Sequence, residues 1–232
     1  MEIIPAIIPK DFNDLQSKLA RVANLVSLVQ IDILDGRLTS EPSWPYRFKE
    51  DPDFKEIVSQ QKGFPYWEKL DFEVDLMAKN PEALWRDWVS AGCKRLIIHL
   101  ESTDSMEKLL IEIGSQAVAK DSPFYTEIGI AIEIETPLEG LFPFIPKIDF
   151  VQFMGINHIG FQGELFDERV IEKIKAFRTT YGDMPISVDG GVNLENALPL
   201  LVAGATRLVS GSALFDALDI EAELKEFRNL LQ

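Results

Sequence analysis

Residues 184–192 read Met184-Pro185-Ile186-Ser187-Val188-Asp189-Gly190-Gly191-Val192, a β-rich run that ends in a carboxylate and two glycines before Asn193 starts a helical pattern. Glycines accept φ > 0 and let the backbone approach a ligand closely. Their N–H groups, with the N-terminus of the following helix, form a natural anion site. One unit later the design recurs: Leu208-Val209-Ser210 is strand-like, and Gly211-Ser212 opens Ala213-Leu214-Phe215. Two consecutive glycine-opened strand ends match the phosphate site after strands seven and eight of a (β/α)8 barrel. Either pair alone reads as an ordinary turn; in tandem, with Asp189 adjacent, they favour a phosphate site.

Working outward, strand patterns alternate with helix patterns along the chain. Apolar runs predict strands at 3–8, 28–34, 70–77, 95–100, 128–133 and 150–154, followed by the two above. Asp11 predicts a cap for a helix from Phe12 towards Asn24, and Asn80-Pro81-Glu82 reads as cap, first-turn proline and acid for a helix through Val89. Pro137 opens a short helix, Asp167 begins one reaching Tyr181, and 220–230 closes the chain as an amphipathic helix. Eight units in 232 residues give about 29 residues each, the pattern of an α/β chain forming one (β/α)8 TIM barrel over 1–232. An enlarged, aromatic-rich segment at about 37–70 follows strand two, with Trp44, Tyr46, Phe48, Phe64, Tyr66 and Trp67. It reads as a lid, a partner surface or a well-packed excursion; as a partner surface it would suit a homo-oligomer.

Composition narrows the function classes. With 46% hydrophobic residues the chain can bury a core. Its formal charge of −15 repels nucleic acid and anionic membranes, so neither is expected as a partner. An anionic small molecule must then be held by local N–H groups. One cysteine, Cys93, excludes an internal disulfide; with no signal-peptide pattern and no apolar run of transmembrane length, a cytoplasmic location is expected.

Strand-end residues of such a barrel converge on its C-terminal face. Gln30 and Asp32 lie two apart and share a face of strand two; Asp75 shares a face of strand three with Glu73. Asp32, Asp75 and Asp189 therefore gather around one cavity, with Gln30 able to join them. Three carboxylates together call for a cation or shared protons. An all-oxygen set suits a divalent metal such as magnesium or manganese better than zinc. Paired aspartates also suit proton transfer alpha to a carbonyl, one removing the proton and the other returning it.

The chain resembles the ribulose-phosphate 3-epimerase family. The resemblance rests on Ile31-Asp32-Ile33-Leu34-Asp35-Gly36, Asp75-Leu76-Met77, His99-Leu100-Glu101, Thr136-Pro137-Leu138, Met154, Asn157, Gly160-Phe161, 188–192 and 211–215. It implies a (β/α)8 barrel interconverting ribulose 5-phosphate and xylulose 5-phosphate, usually with a divalent metal. By resemblance, Asp32 and Asp189 are the acid–base pair and also metal ligands, and Met77 and Met154 pack over the substrate. Gly191, Gly211 and Ser212, with Gly190 and Gly163 grouped beside them, bind the phosphorylated sugar. His99 matches a site-wall position, and His158 in the loop 155–163 could supply a further proton or ligand. The family's two metal-binding histidines fall at Gln30 and Asp75, a serine at Ala6, a methionine at Leu34 and an asparagine near Glu133. A non-catalytic phosphosugar-binding relative is the competing expectation. A phosphosugar lyase or decarboxylase ranks behind both, because the strand ends of these motifs carry no lysine.

Overall fold

Eight parallel strands close into a barrel in chain order, with β8 returning to pair with β1. The strands are β1 (Glu2–Ile7), β2 (Leu28–Leu34), β3 (Asp71–Met77), β4 (Arg95–His99), β5 (Glu127–Ile132), β6 (Phe150–Met154), β7 (Ile186–Asp189) and β8 (Arg207–Ser210). The helices are α1 (Phe12–Val22), α2 (Pro52–Val58), α3 (Trp85–Ser90), α4 (Met106–Gln116), α5 (Arg169–Thr180), α6 (Leu194–Ala203), α7 (Ser212–Phe215) and α8 (Ile220–Leu230). The structure is a computed structural model describing residues 1–39, 41–161 and 163–230. Ser40, in the enlarged segment, and Gln162, in the loop after β6, lie outside the described residues.

Each strand is buried on both faces, one turned to the barrel interior and the other to the helices, which is why the runs read as nearly continuous apolar segments. Gly129 shows how tightly the interior is filled: a Cβ there would lie 2.5 Å from the Phe150 ring. Outside, α1 is capped by the Asp11 side chain, which accepts from the Asp14 N–H, and it buries Leu15, Leu19 and Val22 on one stripe.

Two connections depart from the sequence expectation. Asn80 does not cap a helix through Val89; it is left-handed (φ 55°) and its side chain makes no capping bond. A 3-10 turn (Pro81–Ala83) precedes the shorter α3. Tertiary bonds fix this entry instead, with the Lys79 N–H donating to Asp35 Oδ2 at 2.9 Å. The connection between β5 and β6 carries 3-10 turns at Leu138–Gly140 and Ile145–Lys147 rather than an α-helix. Pro137, Pro143 and Pro146 each remove a backbone donor there.

Part of the aromatic excursion is well packed, while Phe48, Tyr66 and Trp67 are exposed. Trp44 is buried against Phe12, Phe54, Phe64 and Trp88, and the Trp88 indole N–H donates to the Tyr46 hydroxyl at 3.0 Å. The segment thus fills the layer outside β2 and β3. Only its start reaches the mouth, where Leu38 packs near Leu34, Met77 and Met154, and Thr39 contacts Gly160. The opposite, N-terminal end of the barrel is closed by ions: Arg95 bonds Glu2, Glu73 and Glu127, and Arg207 bonds Glu127. No helix among the described residues is long and apolar enough to cross a membrane.

Candidate functional site

At the C-terminal rim, β2, β3 and β7 bring Asp32, Asp75 and Asp189 together, each offering an oxygen within 4.8 Å of the others. Asp32 and Asp75 are direct neighbours in the β2–β3 register, while β1 and β8 stand between β2 and β7. All three are buried. Gln30, two residues below Asp32 on the same face, donates from Nε2 to Asp32 Oδ1 at 2.8 Å and to Asp189 Oδ2 at 2.7 Å. One amide thus clamps two carboxylates from strands that are not adjacent. Asp75 is held from the other side: His99 Nε2 lies 3.0 Å from Oδ1, and Gln152 Nε2 donates to Oδ2 at 2.9 Å.

Burial pushes the Asp32 carboxyl well above the usual carboxylate range, and repulsion from Asp189 and Asp75 adds to it; the Gln30 bond opposes both. Asp189 is raised for the same reasons, burial first and then Asp75, again opposed by Gln30. The two interact closely and titrate as a pair. For His99, burial favours the neutral ring, but Asp75, Glu101 and Glu133 outweigh it and raise its pKa.

The three aspartates fit a hard divalent cation, since each oxygen that accepts one hydrogen bond keeps a second lone pair. The bonds from His99 and Gln152 would orient Asp75 as outer partners orient metal ligands. Gln30, expected as a fourth ligand, presents its nitrogen to the aspartates. Its Oε1 is buried without a partner among the described residues, so a half-turn of the amide would offer that oxygen instead.

Next to the aspartates lies a cleft of about 490 Å³, a volume that includes the open solvent at its mouth. Asp32, Asp189, Met77, Met154, Gly163, Gly190, Gly191, Gly211 and Ser212 all line it, so these sequence-derived residues converge. The double glycine is required by shape. Gly190 has φ 104° and Gly191 φ 68°, and a Cβ on Gly191 would sit 2.8 Å from the Phe166 Cα. Behind them Asn193 caps α6, accepting from the Glu195 and Asn196 N–H groups, and so fixes where the glycine backbone faces.

Four residues stand elsewhere. Asp75, Gln30 and His99 do not line the cleft; Gln30 and His99 support Asp32, Asp189 and Asp75 from inside the barrel. His158 is 74% exposed, with Nδ1 3.6 Å from a Glu164 carboxylate oxygen, and it does not line the cleft. Sequence reasoning missed Gln152, although it alternates with apolar neighbours in Phe150-Val151-Gln152-Phe153-Met154 as Gln30 does in β2. Ile8 and Ile156, also in the cleft wall, gave no signal beyond being apolar.

A second group of possible ligands sits at the ends of β4 and β5, where His99, Glu101 and Glu133 each offer an atom within 4.8 Å of the others.

Comparison with known proteins agrees with the geometry. The sequence pattern of the "Ribulose-phosphate 3 epimerase family" matches residues 2–215. Ribulose-phosphate 3-epimerase of Schizosaccharomyces pombe is 25% identical over 233 residues, covering 98% of this chain and 92% of that protein. The enzyme of the same name from Treponema pallidum is 29% identical over 218 residues, covering 92% and 90%. Among solved structures, a 3-hexulose-6-phosphate synthase superposes with TM-score 0.67 at 18% identity, covering 99% of each chain. KGPDC from Streptococcus mutans in complex with D-R5P gives 0.68 at 12% identity, covering 99% of this chain and 96% of that one. At those identities the structures speak for the fold alone, while the sequence match spans the strands that carry every rim aspartate and both glycine turns. The chain belongs to the ribulose-phosphate 3 epimerase family.

Proposed function

We propose that this chain epimerises C3 of a phosphorylated ketose, interconverting ribulose 5-phosphate and xylulose 5-phosphate or a closely related pair. The observation that carries the reading is the placement of Asp32 and Asp189 in one cleft with the glycine turns after β7 and β8. A phosphate on the glycine backbone would direct the sugar carbons towards the aspartates.

Epimerisation through an enediolate needs one carboxylate ionised and one carboxylic acid protonated. Burial and mutual repulsion raise the affinity of this pair for protons, which supports one proton shared between them. The ionised aspartate takes the C3 proton. The protonated one delivers its proton to the opposite face of the planar carbon, which inverts the centre and exchanges the two roles. Gln30 donates to both, so whichever is ionised keeps a hydrogen bond throughout. Met77 and Met154 give the cleft an apolar wall that limits access of water to the enediolate. Asp32, Asp75 and Asp189 would hold a divalent cation, which would supply positive charge to stabilise the enediolate oxygens. The set of oxygen donors favours manganese or magnesium over zinc.

The test is incubation with ribulose 5-phosphate in D₂O with manganese or magnesium, followed by NMR. Deuterium at C3 and formation of xylulose 5-phosphate are expected. Neither appearing would refute this substrate; phosphosugar binding without exchange would instead identify a non-catalytic binding relative.

A further inference from the structure

The rim holds a second convergence of ligand atoms that the epimerase reading does not use. His99 is fully buried, and its Nε2 faces Asp75 Oδ1 at 3.0 Å. A carboxylate oxygen accepts, so Nε2 carries a hydrogen; Nδ1 is then a bare lone pair in the neutral ring, and in the protonated ring it carries a hydrogen that a metal ion would displace. That Nδ1 points towards Glu101 Oε2 at 4.0 Å, and both atoms are buried without a hydrogen-bond partner among the described residues. Glu133, at the end of β5, brings a second carboxylate to the same point.

One imidazole nitrogen and two carboxylates thus converge, with neither Nδ1 nor Oε2 hydrogen-bonded among the described residues. Of the neighbouring ammonium groups, Lys173 Nζ donates to the carbonyls of Glu133, Ile134 and Thr136, and Lys79 Nζ to the carbonyl of Glu101 rather than to its carboxylate. Glu101 is also pinned, its Oε1 accepting from the Glu133 N–H at 3.0 Å and from the Thr136 hydroxyl, so Oε2 cannot swing away without breaking those bonds.

At 4.0 Å the two atoms are too far apart for a direct hydrogen bond.

We propose that His99 Nδ1, Glu101 and Glu133 form a second cation site, taking a divalent transition metal of the zinc or manganese class. One imidazole with two carboxylates suits such ions and disfavours magnesium or calcium, in contrast to the all-oxygen set at Asp32, Asp75 and Asp189. Half-exposed Glu133 gives the ion a path from solvent. The bound ion would fix the His99 tautomer, and the Nε2–H would in turn orient Asp75, a carboxylate–histidine–metal relay joining the two groups. The ligands of this site are distinct from the acid–base pair, so the inference stands apart from the proposed activity.

The experiment titrates the EDTA-treated, desalted chain with zinc alone, combining calorimetry with ¹⁵N NMR of the imidazoles. The chain has two histidines, so a His158→Ala control assigns the His99 signals. Expected are a protonated Nε2 throughout and a zinc-induced shift of Nδ1, with loss of any proton it carries, that survives Asp32→Asn. The isosteric Glu133→Gln should weaken zinc binding at this site by at least the roughly 10–100-fold that loss of an outer partner costs. Zinc that leaves Nδ1 unmoved, or a ring protonated on both nitrogens that zinc does not change, would overturn the site. So would Glu133→Gln binding zinc like the parent chain. The NMR readout on the unsubstituted chain decides the matter even if a variant folds poorly.

Discussion

Replacing Gln30 by Met keeps the length of the side chain and deletes the amide that joins two strands. Gln30 is fully buried and bonds two buried carboxylates at 2.8 and 2.7 Å. Hydrogen bonds to charged groups contribute about 1.5–3 kcal/mol each, so at the low end the pair is worth about 3 kcal/mol when both aspartates are ionised. The sign with pH follows from the same contacts. Asp32 and Asp189 bind protons more tightly in the folded chain than at their ordinary value of 3.8, so their contribution to stability falls as pH rises above that value. The amide opposes this by favouring the ionised forms, and without it the fall is steeper. Gln30→Met should therefore cost up to about 3 kcal/mol at a pH high enough to ionise both aspartates and clearly less at pH 5, where a proton between the aspartates takes over the amide's role. Urea unfolding at the two pH values, with EDTA present so that no cation substitutes for the amide, reads the difference. An equal loss at both would refute the clamp.

Asp189→Asn should reduce C3 exchange by roughly 10²–10⁴-fold with little change in phosphosugar affinity, measured by NMR exchange and calorimetry; unchanged exchange would remove Asp189 from the reaction. Gly191→Ala forces a Cβ to 2.8 Å from the Phe166 Cα at φ 68°. It should cost about 1–3 kcal/mol in urea unfolding and weaken ketose-phosphate binding, and intact binding would exclude this turn from the phosphate site. Glu73 behaves in the opposite way to a stabilising ion pair: burial outweighs Arg95 and raises its carboxyl from 4.5 to about 7. Its favourable contribution is complete below pH 4.5 and lost as pH rises to 7, about 3 kcal/mol at about 1.4 kcal/mol per pH unit. Glu73→Gln should then be the more stable chain at pH 8 by up to about that amount and equal to the parent near pH 4.5; a variant less stable at pH 8 would show the Arg95 pair to be net stabilising.

The barrel was legible because its signals are local. Strand runs such as Leu28–Leu34 and Phe150–Met154 coincide with the observed strands, and the two-residue period correctly put Gln30 on the face of Asp32. The glycine turn after β7 was legible because positive φ and close backbone approach at Gly190 and Gly191 leave few other residue types, whereas Gly211 after β8 has φ −98°. What the sequence did not show is set by contacts remote in the chain. Asn80 looks like a helix cap, yet the bond from Lys79 to Asp35 sets that turn. His158 lies in a loop over the mouth, but only the folded loop shows it turned to solvent beside Glu164. The aromatic excursion has the composition of a lid, and only the docking of Trp44 against Trp88 shows that it belongs to the outer layer. Nor does any sequence pattern predict that one amide nitrogen would serve both Asp32, two residues away, and Asp189, 159 residues away.

The carboxylate cluster bears on what a metal contributes. Asp32, Asp75 and Asp189 receive four bonds from three neutral-capable donors: two from Gln30, one from His99 and one from Gln152. A structural zinc site depends on its ion because the ligands have no other partner and repel without it. Here the repulsion is already reduced by donors that the barrel itself positions, and shared protons can remove the remainder. The fold should therefore outlast the metal while the chemistry does not, because an amide cannot supply the charge that an enediolate needs. Ligand linkage sets the scale: an ion present at 100 times its Kd adds about 2.7 kcal/mol to stability and no more. EDTA should lower the unfolding free energy by no more than about that amount and leave the circular dichroism unchanged, while exchange at C3 falls sharply. Unfolding on chelation would mean that the amide and imidazole bonds do not hold the carboxylates together, and that the ion does.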